Sequence, residues 1–598
     1  LFVTTMIMPS MMLAEESITP TRPKGDGKTE PYQISNAAEL YWFARLVNGK
    51  LENEEQDLSA NAILTSNIIV NTGVLDENKN LASKGDLTEW EPIGTRWSPY
   101  TGTFDGKGYT ISGLYFNNPT SSYVGLFGCI GADGKISNVG VLDSYFQFSA
   151  LGGGVCGVNY GTVRDCKNTG SVRGLATIGG VCGLNEKGGI IENSFNEGTV
   201  SGTGDNAQQV GGVSGYNNGT IKSCYNTASV SGQESVGGVC GFNSVGTTTN
   251  CFNEGTVSGQ NFVGGVCGNG CGVTTTNCFN EGTVSGQSHV GGVCGYDYYY
   301  DGTLTNCYYL SDTATGGING KDVSGKAEKK PKEQFESGEV AWLLNGKGVG
   351  EQVWGQLLGR DQSPVPGSAY KVIKAAKGDK DANDHYTYWA TFSNLTNDAT
   401  LSVQSGRTLN VYNATVSGVK LTLTERNNQV AKEEGVLLKT DGEYVNAKVN
   451  MINELTAASS DENNLVATPA EAQTVTATGY ILYRLTYNDA KTKAGLGFYL
   501  GVDKENNSSD GTSLKATPGK AYLKVSEKEA KDPSSAALAR SFVFDSGNET
   551  TGIEGITIMG TDVQRHGTIE GIFDLQGRKI VNPTKGIYIK NNKKVVIK

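Results

Sequence analysis

The 598-residue chain holds only three histidines, His289, His385 and His566, and they lie far apart. Histidine-rich metal sites and most histidine-based catalysis are therefore disfavoured. Proline is scarce at 14 residues, and the 82 glycines follow no Gly-X-Y period, so a collagen-like chain is excluded. The chain contains no His-Glu-x-x-His, no Gly-x-Ser-x-Gly and no Walker A motif. Basic residues are outnumbered, 50 against 61 acidic, for a net charge of −11 and a pI near 5.1. That balance argues against binding nucleic acid or an anionic membrane through net charge. No stretch reaches the roughly 18 apolar residues of a membrane span. The hydrophobic share is low at 37%, yet strand-forming β-branched residues are plentiful, so the chain is expected to fold.

What is present in quantity is a repeat. Gly-Gly-Val-Cys-Gly recurs, as Gly154-Val155-Cys156, Gly180-Val181-Cys182, Gly238-Val239-Cys240, Gly265-Val266-Cys267 and Gly292-Val293-Cys294. Val213 sits in the same frame with Ser214 in place of cysteine, and Gly125 to Gly128 is a divergent earlier copy. Successive copies are 26 to 32 residues apart. A second block starts at Cys166, Ser194, Cys224, Cys251 and Cys278 and places asparagine at Asn168, Asn196, Asn226, Asn253 and Asn280. Each period holds three short apolar pieces, such as Val236 to Phe242, Thr248 to Phe252 and Thr256 to Ser258. Such pieces suit strands, and one period has too little apolar surface to fold alone, so copies must stack.

The expected fold is mainly β: a right-handed parallel β-solenoid with three strands per coil and short capping helices. A β-sandwich and a small C-terminal β module follow. Gly174, Gly202, Gly232, Gly259 and Gly286 read as corners needing positive φ. The asparagine amides are expected to hydrogen-bond from rung to rung.

The Gly-Val-Cys-Gly and Gly-Leu-Phe-Gly cores resemble the GLUG motif over about Tyr123 to Tyr309. GLUG repeats occur in large secreted and surface proteins, including adhesins and non-catalytic stalks of immunoglobulin-cleaving proteases. The resemblance implies a surface-display or binding role without chemistry of its own.

Residues 1–14 read as a signal peptide truncated at its start, and 15–31 as a flexible leader. Residues 32–122 form an N-terminal cap with leading coils, in which Ser35 would cap a short helix and Gly49 end it. The solenoid takes 123–310, then a loop and distal cap 311–360, a linker 361–368, the sandwich 369–548 and a tail 549–598. That tail, with Asp574 to Arg578 and Lys585 to Lys590, resembles the sorting domains of type IX secretion. Together these features imply a monomer secreted from, or held on the outer surface of, a Gram-negative bacterium.

All 12 cysteines lie between Cys129 and Cys307. Within-coil pairing would strand Cys182 opposite Ser194 and Cys224 opposite Ser214, so cysteine reads as a small inward-facing residue exchangeable with serine. Cys267 and Cys271 lack further ligands, so no metal is expected, nor any cofactor. Asp143, Asp165 and Asp205 occupy unrelated positions of the repeat, which disfavours a carboxylate pair for glycoside cleavage. Glu197, Glu254 and Glu281 form an acidic ladder that reads as a solvated edge, able to favour cations weakly.

The candidate binding residues are Tyr296, Tyr298, Tyr299 and Tyr300, with Tyr308 and Tyr309 beyond. Exposed tyrosines offer apolar faces with hydroxyl tips, suited to a glycan or an extracellular protein surface; packing under the distal cap is the structural alternative. The expected function is a non-catalytic, adhesin-like binding protein. The alternatives are a polysaccharide-acting β-helix enzyme, lyase or hydrolase, and a non-catalytic stalk of a protease assembly.

Overall fold

In the computed structural model the short pieces stack as a parallel β-solenoid of about ten turns. The structure describes residues 18–82, 86–270, 274–297 and 303–348, interrupted stretches from 353 to 543, and four short strands between 572 and 597. The proposed signal peptide, residues 1–14, lies outside the described residues.

One turn shows the plan: strand a is Glu234–Gly237, b Cys240–Asn243, c Thr247–Thr249, d Phe252–Asn253 and e Val257–Ser258. Each pairs in parallel with its equivalents above and below, giving faces a to e of seven, seven, ten, ten and seven strands. The expectation of three strands per coil is corrected to five, because two of the three apolar pieces bend. One bends at paired glycines such as Gly237 and Gly238. The other bends at a row of left-handed residues, Asn138, Asp165, Asn193, Ser223, Asn250, Asn277 and Asn306, with φ between 51° and 55°. Short polar side chains tolerate that conformation best among non-glycine residues.

The interior is built of ladders. Val155, Val181, Val239, Val266 and Val293 are all fully buried in one row. The predicted asparagine ladder is present: each amide donates to the next asparagine carbonyl from Asn168 to Asn280, at 2.7 to 2.8 Å. A second ladder, Asn159 to Asn185 to Asn217 to Asn243, runs at 2.8 to 3.0 Å. Gly154, Gly180, Gly238 and Gly265 face the first ladder, where an added Cβ would stand 2.3 to 2.4 Å from an asparagine side chain. Gly174, Gly202, Gly232, Gly259 and Gly286 do not have positive φ, contrary to expectation. They are glycine for space: a Cβ at Gly259 would lie 2.9 Å from Val236 and Val263, and one at Gly174 2.5 Å from Phe148.

Serine replaces cysteine because both make one bond. Cys224 and Cys251 donate through Sγ to the carbonyl two residues back at 3.2 Å, and Ser194 Oγ does the same at 2.9 Å. Ten described cysteines are buried and outside any disulfide, while Cys294 is disulfide-bonded, which corrects its reading as a packing thiol. Cys271 lies outside the described residues.

Both ends of the solenoid are covered. Helix α1 (Ala37–Val47) lays Phe43 against Tyr100 and Phe104 of the first turns. Its N-cap is Asn36, not Ser35: the Asn36 side-chain Oδ1 accepts from Glu39 N, and the Glu39 carboxylate accepts from Ser35. Gly49 closes the helix at φ 67° as expected. At the distal end the loop near residues 313–320 caps the strands through Val284 N to Thr313 O, Val293 N to Gly317 O and Gly320 N to Val290 O. Helices α2 (Lys332–Glu336) and α3 (Glu339–Leu344), expected as the far cap, instead pack on the flank of face d.

The segment expected as a linker folds back: Val365–Pro366 pairs with Trp354–Gly355. Asn446 accepts from Leu358 N at 2.6 Å, so the flank helices and the next module are joined by buried polar contacts. That module is more than a two-sheet sandwich. Its central five-stranded antiparallel sheet is buried on both faces, Ala390 and Leu438 packing towards one neighbouring sheet, Trp389 and Leu437 towards the other. The last described strands, from Ile572 to Ile597, form a four-stranded antiparallel sheet.

Candidate binding surface

Face b alternates buried and outward residues, so its outward positions form a stripe along the solenoid axis. The register places Val158, Leu184, Tyr216, Phe242, Asn269 and Tyr296 in that stripe. From Leu184 to Tyr296 each is half-buried. The Tyr216 and Phe242 rings stack at 5.1 Å, each hiding a face and leaving its edge to solvent. Beside them Phe262 and His289 occupy left-handed positions of face a, φ 56° and 53°, in a row that also includes Leu151 and Thr177. Tyr296 completes a three-ring cluster, 5.5 Å from Phe262 and 4.8 Å from His289.

The other candidate tyrosines separate. Tyr298, Tyr299 and Tyr300 lie outside the described residues. Tyr308 and Tyr309 are not exposed, at 6% and 0% relative accessibility, which corrects the expectation of an open aromatic surface at these two. The Tyr309 ring faces Gly292, and its hydroxyl donates to Asp322 Oδ1 at 2.7 Å. Tyr308 ends a stack on face d that runs through Phe195, Tyr225, Phe252 and Phe279, with described neighbours 4.5 to 5.0 Å apart. Phe335 of α2 and Trp354 seal the last rungs of this stack. This packing was readable in part: an aromatic precedes asparagine in four consecutive copies.

The acidic ladder flanks the same stack and is not uniformly solvated. Glu197 is exposed, whereas Glu281 is half-buried and its pKa is pushed up to about 7 by burial, with Glu254 adding repulsion. The Ser363 hydroxyl and Lys332 pull it the other way. The pKa of Glu254 is raised by desolvation too. Burial pushes the Cys129 and Cys166 thiols up to about 12, which is the opposite of an activated nucleophile. Asp143 and Asp165 sit in left-handed corners, φ 43° and 53°, a backbone role. Among the described residues no group of three or more His, Cys, Asp and Glu side chains could hold a metal ion. Nor is any described helix long and apolar enough to cross a membrane.

No protein-family model matches the chain. One curated protein, described as "Putative Gly-rich membrane protein" of Evansella cellulosilytica, is 38% identical over 77 residues, 12% of this chain and 9% of that protein. The chain thus spans under a tenth of the relative it matches. Among solved structures, one described as a "putative immunoglobulin A1 protease from Bacteroides ovatus" aligns over 57% of this chain and 93% of that one, at 18% identity and a TM-score of 0.37.

Proposed function

We propose that this chain is a non-catalytic binding protein, secreted or displayed on the outer surface of a Gram-negative bacterium, that recognises a glycan or an extracellular protein. The observation that carries this reading is the outward aromatic stripe of face b, ending in the Phe262, His289 and Tyr296 cluster. Half-exposed rings at fixed spacing on a stiff parallel scaffold supply contact area at little cost in ordering. The GLUG-like repeat supports the same reading, since such repeats occur in surface proteins.

The test is a glycan and host-matrix array probed with the whole chain and with a variant carrying Phe242→Ser and Tyr296→Ser. Retained folding with lost binding supports the reading. A chain that binds nothing on either array, or turns over polysaccharide on it, contradicts it.

A further inference from the structure

Trp97 is 84% exposed, far more than any other described large apolar side chain. Trp42, Trp90, Trp354 and Trp389 are all buried. The loop that carries this indole is tied down at both arms and at its tip. Ile93 bridges to Phe127 and Tyr100 to Ile130, so both arms of the excursion are stitched to the next rung of face b. At its tip Thr95 N donates to Ser98 O at 2.9 Å and Ser98 N to Thr95 O at 3.2 Å, closing a two-residue turn of Arg96 and Trp97. Arg96 lies over the indole, its guanidinium carbon 4.9 Å from the ring centroid. Arg96 thereby covers one ring face and leaves the other to solvent.

The base of the tip adjoins a corner row of the solenoid. Tyr160 N donates to Ile130 O, which puts Tyr160 two rungs beyond Tyr100. Glu186 and Asn218 follow on the next two rungs, at roughly 4.8 Å per step. Tyr160 is 42% exposed. The Glu186 carboxylate accepts from the Asn218 amide at 3.2 Å, which orients both groups and leaves a carboxylate oxygen and an amide carbonyl available to hydroxyl donors. Pro99, at the foot of the tip, lies 3.6 Å from where a Cβ at Gly131 would stand, one rung before Tyr160, and Arg96 and Glu186 both act electrostatically on the Tyr160 hydroxyl, so tip and row share one neighbourhood.

We propose that Arg96, Trp97, Tyr160, Glu186 and Asn218 form a sugar-binding site, taking a neutral pyranose-containing chain laid along the solenoid axis. The proposal rests on the reading of the chain as a binding protein. Two aromatic rings provide flat faces for the apolar side of a sugar ring, and the oriented amide–carboxylate pair reads its hydroxyls. One cation and one anion flank the site, so an acidic sugar would gain at Arg96 and lose at Glu186. A two-residue tip also falls far short of the roughly 800 Å² per partner that a protein interface needs.

The experiment uses the full chain against immobilised neutral oligosaccharides, sialylated and uronate oligosaccharides, and matrix proteins, with Trp97→Ala and Asn218→Ala beside it. The expected result is binding of neutral sugars, weakened roughly ten-fold or more by Trp97→Ala at unchanged melting temperature. Asn218→Ala should also weaken binding, and the bound sugar should shield Trp97 from acrylamide quenching. Neutral-sugar binding that survives Trp97→Ala, or a preference for acidic sugars, overturns the site. Binding to matrix proteins alone overturns it while leaving the proposed function standing. No binding on any surface contradicts both.

Discussion

The solenoid and the antiparallel module after it are both β-structure, but they hold themselves together differently. In the solenoid each residue is packed mainly against its own counterparts above and below, as Asn196, Asn226 and Asn253 are. In the downstream module, partners come from distant and unlike segments; Trp389 packs in one core with Leu465 and Leu523. A ladder therefore concentrates the fold in a few residue types that cannot be exchanged. A stacked sheet spreads it over many apolar residues that can.

That contrast is sharpest at buried amides. Asn226 donates to Asn253 Oδ1 and to Ala228 O, accepts from Asn196, and is fully buried. Asn226→Ala removes these three hydrogen bonds, those with Asn253 and Asn196 fully buried, and is expected to cost about 4 kcal/mol in a urea titration. Asn410→Ala, which removes an exposed bond to Glu425 in the downstream module, should cost within about 0.5 kcal/mol. Equal effects would erase the distinction.

Glycines make the next comparison. A Cβ at Gly238 would stand 2.1 Å from the Gly265 carbonyl, which is backbone and cannot step aside. A Cβ at Gly442 meets the end of the Arg407 side chain at 3.1 Å, and the nearest backbone atom stands off at 3.8 Å. Gly238→Ala should therefore lose about 3 kcal/mol, and Gly442→Ala well under 1 kcal/mol, by thermal unfolding.

The smallest effect tests where the two regions join. Glu281 has a folded pKa of about 7, above its ordinary 4.5, so the folded state holds the proton more tightly between those values. Its contribution is complete below about pH 4.5 and is lost as pH rises through 7. Stability should fall by on the order of 1–2 kcal/mol over that window, and Glu281→Gln should flatten the fall. A pH profile that the substitution leaves unchanged would show that the flank helices do not bury this carboxylate.

Much of the solenoid was legible because repetition turns a weak local pattern into a strong one. The period, the asparagine ladder and the exchange of cysteine for serine all follow from residues that recur in phase. The five faces were less visible. One set of corners uses Asn, Asp and Ser, which also serve ordinary turns, and the left-handed row of face a uses Leu151 and Phe262, which mark no turn at all. Glycine is equally silent about its reason: Gly259 is small for its valine neighbours, while Gly49 is there for its backbone. Of the candidate tyrosines, Tyr296 joins a surface cluster, but Tyr308 is claimed by packing that depends on helices α2 and α3 folding back, and Tyr309 by the solenoid interior beside Gly292 and Asp322. The Trp97 tip was missed because it belongs to no repeat; its signal is local, an Arg-Trp pair between Pro92 and Pro99.

The most direct test of the ladder account is removal of one whole turn, residues 239–265, which joins Gly238 to Val266 in frame. Asn226 would then donate to Asn280, Cys224 would stack on Cys278, and Tyr225 would take the place of Phe252 beside Trp354. The expected product is a soluble, cooperatively unfolding protein whose solenoid is one rung shorter, about 4.8 Å, with both ends still capped. An unfolded or aggregated product, with α1 and the distal loop intact in sequence, would contradict the claim that each turn is held only by its neighbours.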